Sequence, residues 1–241
     1  RPFGLRLPAE EADQAFLARL PSHLSTVILT GRPDCTWAAG LNRVRGSGRC
    51  ALAEVYTREA AANAVSAGFE GVIVCGSEAG GVVGDESAFI LLQSVLGLRP
   101  GAVRIWVRGG IGPSTAAGCV AAGAAGVVLD GALLLARESP LPADVRERIG
   151  RWDGSETMVF GRSPDLRIRG FARAGSELLV RLRDLESRPE RSAQASSELG
   201  WGDDRLWPVG QDSAFAADLA RRFVTVGGIV QAVERSIDSA L

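Results

Sequence analysis

Short apolar runs alternate with alanine-rich stretches of helical length through the first 135 residues, and this alternation constrains the fold more than any other feature of the chain. The runs lie at 4–7, 26–30, 51–55, 71–75, 104–108 and 126–130, with helical patterns at 10–20, 57–67, 86–96 and 114–122 between them. Strands of about five apolar residues that recur with helices between them read as βα units around a parallel sheet. A doubly wound sheet and a barrel both satisfy that pattern. The placement of glycine separates them. A dinucleotide fold puts its glycine turn after an early strand, whereas here the glycine-rich turns at 76–84 and 109–112 follow the fourth and fifth runs. Glycine at the ends of late strands is what a barrel with a phosphate site near its last strands would show.

The expected fold class is therefore α/β, a TIM-type (β/α)8 barrel with a C-terminal helical extension. Only six strands are clear, so the barrel is incomplete unless two strands precede Arg1 or later segments replace them. The replacement candidates are 166–169 and 178–182, the second of which reads equally well as helix. We place the barrel core at 1–140 and an extension on it at 141–241, with a flexible loop near 187–204 that is rich in Ser, Glu, Arg and Gly. Helical patterns return at 212–222, with Asp212 or Ser213 as N-cap, and at 228–237.

Several function classes are excluded by composition. The net charge is −1, with 27 basic and 28 acidic residues interspersed and no basic stripe, which argues against a nucleic-acid partner. The longest apolar stretch, near 126–136, is about half the ~20 residues that cross a bilayer, so no membrane is expected. Cys35, Cys50, Cys75 and Cys119 are widely spaced and form no Cys-x-x-Cys pair, so they read as reduced, buried thiols of a cytoplasmic protein, with no metal site. His23 is the only histidine and stands in a helix-to-strand connection, which leaves no histidine for a catalytic triad at the glycine turns. Lysine is absent, which removes the Schiff-base lysine of an aldolase-type phosphate barrel. Arginine and alanine usage suggests a high-GC genome, and the start at Arg1 suggests a piece of something longer.

Three turns would converge at the C-terminal mouth of the barrel: 76–84, Gly109-Gly110-Ile111-Gly112, and Asp130-Gly131. In the second, glycines let backbone N–H groups approach an oxyanion, and a helix from Pro113 or Ser114 adds the positive end of its dipole. A tight strand-to-helix turn with no ligand is the alternative. Ser114 and Thr115 read as caps, Asp85 and Glu86 as the acidic start of the next helix, and Trp152, Trp201 and Trp207 as anchors of the extension.

These residues resemble a known family. Ala53-Glu54-Val55, Gly76-Ser77-Glu78-Ala79-Gly80-Gly81, Ala88-Phe89-Ile90-Leu91-Leu92, Trp106-Val107-Arg108-Gly109-Gly110-Ile111 and Ala122-Gly123-Ala124-Ala125-Gly126-Val127 are, in that order, similar to nitronate monooxygenase (2-nitropropane dioxygenase) barrels and FMN-dependent enoyl reductases. The later segments at 153–157 and 208–212 look like those of flavin-barrel domains in bacterial type I polyketide synthases. The resemblance implies an FMN-dependent oxidoreductase acting on an acyl chain, with an acyl carrier protein or neighbouring megasynthase domains as partners and homo-oligomers as a further expectation. It places FMN contacts on Gly76, Glu78, Gly80, Gly81, Gly109, Gly110, Ile111, Asp130, Gly131 and Gln211. It also puts the family's catalytic histidine at Val82, which cannot accept a proton. Glu78 is then a candidate base or a brace of its loop. Loss of a positioned base costs about 10²–10⁴ in rate, so a catalytically inactive barrel, a pseudoenzyme docked beside an active copy, is the rival reading. Where the family has Gly-Thr or Gly-Ser, this chain has Asp130-Gly131; a carboxylate about 5 Å from a phosphate would cost about 3 kcal/mol unless Arg108 or Arg137 offset it.

Overall fold

The computed structural model describes residues 3–31, 35–99, 101–163, 166–186, 197–202 and 204–241. Most of the expected flexible loop, at 187–196, lies outside the described residues. Six strands form one parallel sheet in the spatial order β1 (Phe3–Pro8), β2 (Leu24–Thr30), β3 (Cys50–Val55), β4 (Gly71–Cys75), β6 (Arg104–Arg108), β7 (Gly126–Val128). Each of these strands was expected from the apolar runs. Between β4 and β6 the chain adds β5 (Gly81–Val83), which belongs to a second sheet.

Alternation along the strands sorts their side chains onto two faces. Val27 and Leu29, Ala51, Ala53 and Val55, Val72 and Val74, and Ile105 and Val107 share one core with the buried faces of the flanking helices. Those helices are α1 (Gln14–Arg19), α2 (Cys35–Gly46), α3 (Arg58–Ala67), α4 (Ala88–Leu96) and α5 (Pro113–Ala121). Arg6, Glu54 and Arg108 stand at the positions between, on the opposite face of the sheet. Caps set the helix starts: Thr57 accepts from Ala60 N–H, Ser87 from Ile90 N–H, and Thr115 serves as the N3 partner of Gly112. Helix α2 was not among the expected helices, although Trp37, Leu41 and Val44, at helical spacing, give it a buried stripe.

Neither replacement candidate brings the parallel sheet to eight strands among the described residues. The segment at 166–169 is a strand, β9 (Leu166–Gly170), but it pairs antiparallel with β5 and with β8 (Met158–Ser163) and does not join the parallel sheet. The segment at 178–182 lies inside helix α7 (Glu177–Glu186), whose apolar residues Leu178 and Leu182 are four apart and both buried. A strand would have put them on one side too, but so close a match to helical spacing, with Glu177 in the first turn, favours the helix. Pairs Gly81↔Arg169, Val82↔Ile168 and Val83↔Arg167 stitch this second sheet to the turn after β4.

The remaining chain packs in two clusters. Trp152, Phe171 and Trp207 stack with centroids 4.7–6.2 Å apart over α6 (Ala143–Ile149), and Trp201 adds to Trp207 at 5.6 Å. A 3-10 turn (Gln211–Phe215) leads into α8 (Ala216–Phe223), so Asp212 and Ser213 precede the helix within that turn and do not cap it. Helix α9 (Val226–Asp238) lies against α5. No helix among the described residues is long and apolar enough to cross a membrane. Of the cysteines expected to be buried, Cys75 and Cys119 are, whereas Cys50 is only partly so; the side chain of Cys35 lies outside the described residues.

Neighbouring residues of α4 offer a test of this packing. Leu91 is buried between helix and sheet and Ile90 is exposed. Leu91→Ala should lose about 2–5 kcal/mol in urea unfolding, and Ile90→Ala should stay within about 0.5 kcal/mol of the parent protein.

Candidate active site

The expected turns do come together at the C-terminal ends of the strands, and much of each is filled by the protein's own backbone. A Cβ on Gly76 would strike the N–H of Ala88, one on Gly80 the carbonyl of Pro208, and one on Gly84 the carbonyl of Tyr56. Close backbone approach therefore accounts for these glycines. Gly109 and Gly110 differ, with φ of 106° and 66°, the left-handed region that favours glycine. The Ala79 N–H and the Glu78 side chain lie 3.0 and 3.6 Å from where their Cβ atoms would be. Among the described residues, none accepts a hydrogen bond from the N–H of Gly110 or Ile111, and both stand one turn ahead of the nine-residue helix α5.

Glu78 is turned away from a chemical role at the mouth. Its carboxylate accepts from the Ala88 N–H at 2.9 Å, the first turn of α4, and its carbonyl accepts from the Gln211 N–H at 2.8 Å. Gln211 thus reaches the turn through its backbone. Val82 packs its side chain against the apolar cluster of Phe160, Ile168, Leu178 and Leu206. Asp85 pairs with Arg167 at 2.6 Å, and the following helix begins only at Ala88, after the Ser87 cap.

A network of charges occupies the face behind these turns. Glu54, 1 % exposed, takes two hydrogen bonds from Arg6, at 2.8 and 2.6 Å, one from the Tyr56 hydroxyl at 2.8 Å and one from Arg108 at 3.3 Å. Arg108, 11 % exposed, also donates to Asp130 at 2.5 and 3.1 Å and to the carbonyl of Gly80 at 2.8 Å. The Asp130 carboxylate therefore neither caps the short 3-10 turn after it (Gly131–Leu133) nor stands unpaired. Arg108 takes up its charge, while the backbone of Arg137 bonds elsewhere, to Val224. Burial raises the Glu54 pKa, but Arg6, Arg108 and Tyr56 outweigh it and hold it below the ordinary value. Burial pushes the Cys75 thiol up to about 12, so it is protonated and no nucleophile.

Asp212 is the residue that the sequence reading misplaced. It is 1 % exposed, and neither carboxylate oxygen has a hydrogen-bond partner among the described residues. Its Oδ1 is close enough to collide with a Cβ on Gly131, and lies 2.7 Å from where one on Gly210 would be. Burial and the neighbouring charge of Asp130 raise its pKa to about 7, against the charge of Arg108 and the nearby N–H groups of Gly131 and of Asp212 itself. An acidic residue one turn before an amphipathic helix reads as a cap, and only the fold brings Gly131 beside it.

No family model matches the chain, and no curated protein matches it in sequence. Solved structures do match. FabK from Thermotoga maritima superposes with a TM-score of 0.80 at 18% identity, over 99% of this chain and 76% of that one. Nitroalkane oxidase from Streptomyces ansochromogenes gives 0.69 at 20%, over 100% and 81%. The enoyl reductase domain of MlnA, from the macrolactin biosynthesis cluster of Bacillus amyloliquefaciens, gives 0.71 at 12%, over 100% and 81%. These likenesses establish the fold as the TIM-type barrel of such proteins, here with six parallel strands among the described residues and a helical C-terminal part.

Two acids in this site should show opposite pH behaviour. Glu54→Ala leaves Arg6 and Arg108 facing an empty place and should cost about 3–5 kcal/mol at neutral pH, with Glu54→Gln milder. Its lowered pKa makes its contribution present at neutral pH and lost on acidification. Asp212 has a raised pKa, so its ionisation weakens the fold as pH climbs from about 4 to 7, by about 1.4 kcal/mol per pH unit. The melting temperature of Asp212→Asn should equal the parent's near pH 4 and exceed it by several degrees at pH 7.5.

Proposed function

We propose that this chain is an FMN-dependent barrel of the enoyl reductase type, acting on an acyl chain carried as a thioester by an acyl carrier protein or a neighbouring domain. The observation that carries the reading is the convergence of the left-handed Gly109-Gly110 turn, with its uncommitted N–H groups, on the 76–84 and 130–131 turns at the start of α5. Backbone donors at a helix N-terminus suit a phosphate monoester. The pairing of Asp130 with Arg108 removes the repulsion that a free carboxylate would add. Gly109, Gly110 and Ile111 would hold the phosphate, with Gly131 alongside; Glu78 braces the turn from behind.

Bound and reduced, FMN supplies a hydride. The chain's own residues then distinguish between the two chemistries of this fold group. Oxidation of a neutral nitroalkane needs a base to remove its α-proton, and Val82 provides none. Delivery of hydride to the β-carbon of an α,β-unsaturated thioester removes no proton from the substrate, and the enolate left behind can take its α-proton from water, so an apolar residue at 82 is compatible with it. The Val82 side chain packs beside Met158 and Phe160. The same apolar residue favours the second reading, a catalytically silent barrel that serves as a docking or dimer-forming domain.

Protein purified in the presence of FMN should be yellow and release FMN on denaturation, and excess FMN should raise its melting temperature; at a hundredfold excess over Kd the gain is about 2.7 kcal/mol. It should reduce a crotonyl thioester with NADH or NADPH and fail to consume oxygen with a neutral nitroalkane. Flavin binding without reduction would favour the silent barrel. Colourless protein whose melting is unmoved by FMN overturns the flavin reading.

A further inference from the structure

Asp212 is an anomaly that the braced turns do not explain. The buried carboxylate of Glu54 is paired with Arg6 and Arg108. Asp212 is equally buried and has neither ion pair nor hydrogen bond among the described residues. It is also accommodated by design of the backbone around it: any side chain at Gly131 or Gly210 would collide with its Oδ1. An unpaired buried carboxylate is costly, and two things relieve it, a proton or a donor from outside.

Its surroundings say what that outside group would meet. The same 3-10 turn sets Phe215 against Gly112, the N-cap of α5, at 3.2 Å from its would-be Cβ. Gly210 sits against Gly80 and the carbonyl of Glu78. Asp212 is therefore part of the cluster formed by the 76–84, 109–112 and 130–131 turns. The charged groups facing it are Asp130, after β7, and Arg108, from β6, which are engaged with each other. Glu78 on the third turn spends its carboxylate on Ala88. Arg169, the other cation at these turns, spends its donors on the carbonyl of Ser77 and the hydroxyl of Thr157, so among the described residues Asp212 has no ion pair.

We propose that Asp212 is a proton-controlled gate on the phosphate monoester held by these turns. With its proton it offers an O–H donor to a phosphate oxygen beside the N–H groups of Gly110 and Ile111; ionised, it repels the dianion. The inference rests on the flavin-site reading and adds to it a pH-dependent affinity and a preference for the phosphorylated form of the ligand. A pKa near 7 places the transition within the physiological range.

The test is a titration with FMN and with riboflavin from pH 6.5 to 8.5, followed by flavin fluorescence. The second ionisation of a phosphate monoester, with pKa about 6, is largely complete across this range. If only protonated Asp212 admits the ligand, the apparent Kd for FMN rises about tenfold per pH unit above 7, while riboflavin binds weakly and without that slope. Asp212→Asn, which keeps a donor and cannot ionise, should flatten the FMN profile. An FMN affinity that is flat above pH 7, or a slope unchanged in Asp212→Asn, overturns the gate and leaves the flavin site standing. Riboflavin binding as tightly as FMN overturns it too, because the phosphate is then not what is recognised. Absence of binding by either flavin at every pH overturns both readings. The comparison of FMN with riboflavin in the unaltered protein decides the matter even if the variant does not fold.

Discussion

Arg108 is the group on which the mouth of the barrel depends. It leaves the end of β6 and engages Glu54 from β3, Asp130 beyond β7, and the carbonyl of Gly80 on the turn after β4. Three segments far apart in sequence are thereby fixed to one guanidinium on a fourth. A planar fork with five donors can do this, and an ammonium cannot. The arrangement is not an efficient source of stability, because desolvating two carboxylates and two guanidiniums cancels most of their attraction. What it supplies is geometry: the charges of Arg6, Glu54, Arg108 and Asp130 are matched in this mutual placement of the strands and turns. Asp212 lies next to this arrangement without a share in it.

The glycine turns take on a divided meaning. At Gly76, Gly80 and Gly84 the missing Cβ makes room for backbone from elsewhere in the chain. Such positions describe the scaffold, and they would be required whether or not anything binds. Gly109 and Gly110 are required by conformation, which leaves their donors directed by the turn itself. Val82 lies between these two kinds of constraint, on a short strand whose side chain belongs to an apolar cluster. Nothing in the local packing calls for a polar residue there.

How far the sequence could be read depended on the range of the interactions involved. The six strands of the parallel sheet were legible because each is a self-contained apolar run. The helices between them carry their own caps, and Thr57 and Ser87 start α3 and α4 as local rules require. The charged network left a faint signal, since Arg6, Glu54 and Arg108 are single charges inside otherwise apolar strands, the pattern of an inward-facing polar site. The segment 166–169 was legible as a strand, but its partner is β5, more than 80 residues earlier, and no local pattern names a partner at such a distance. Asp212 failed for a similar reason: its character is set by the bare Cα of Gly131, which no reading of its own neighbours reveals.

The pairing of β5 with β9 also has a consequence for how this chain reaches its folded state. The turn at 76–84 is synthesised before its partners: the strand that continues it has no ladder partner until residues 167–169 exist, and the carbonyl of Ser77 awaits Arg169, which donates to it at 2.5 Å. The segment at 208–212 that seats on Gly80 comes later still. Contacts of such long sequence separation form slowly, because the loop between them must be closed first. The parallel sheet and its helices can therefore assemble from the first half of the chain while the mouth stays unformed, and the last part of the molecule to become ordered is the part proposed to bind.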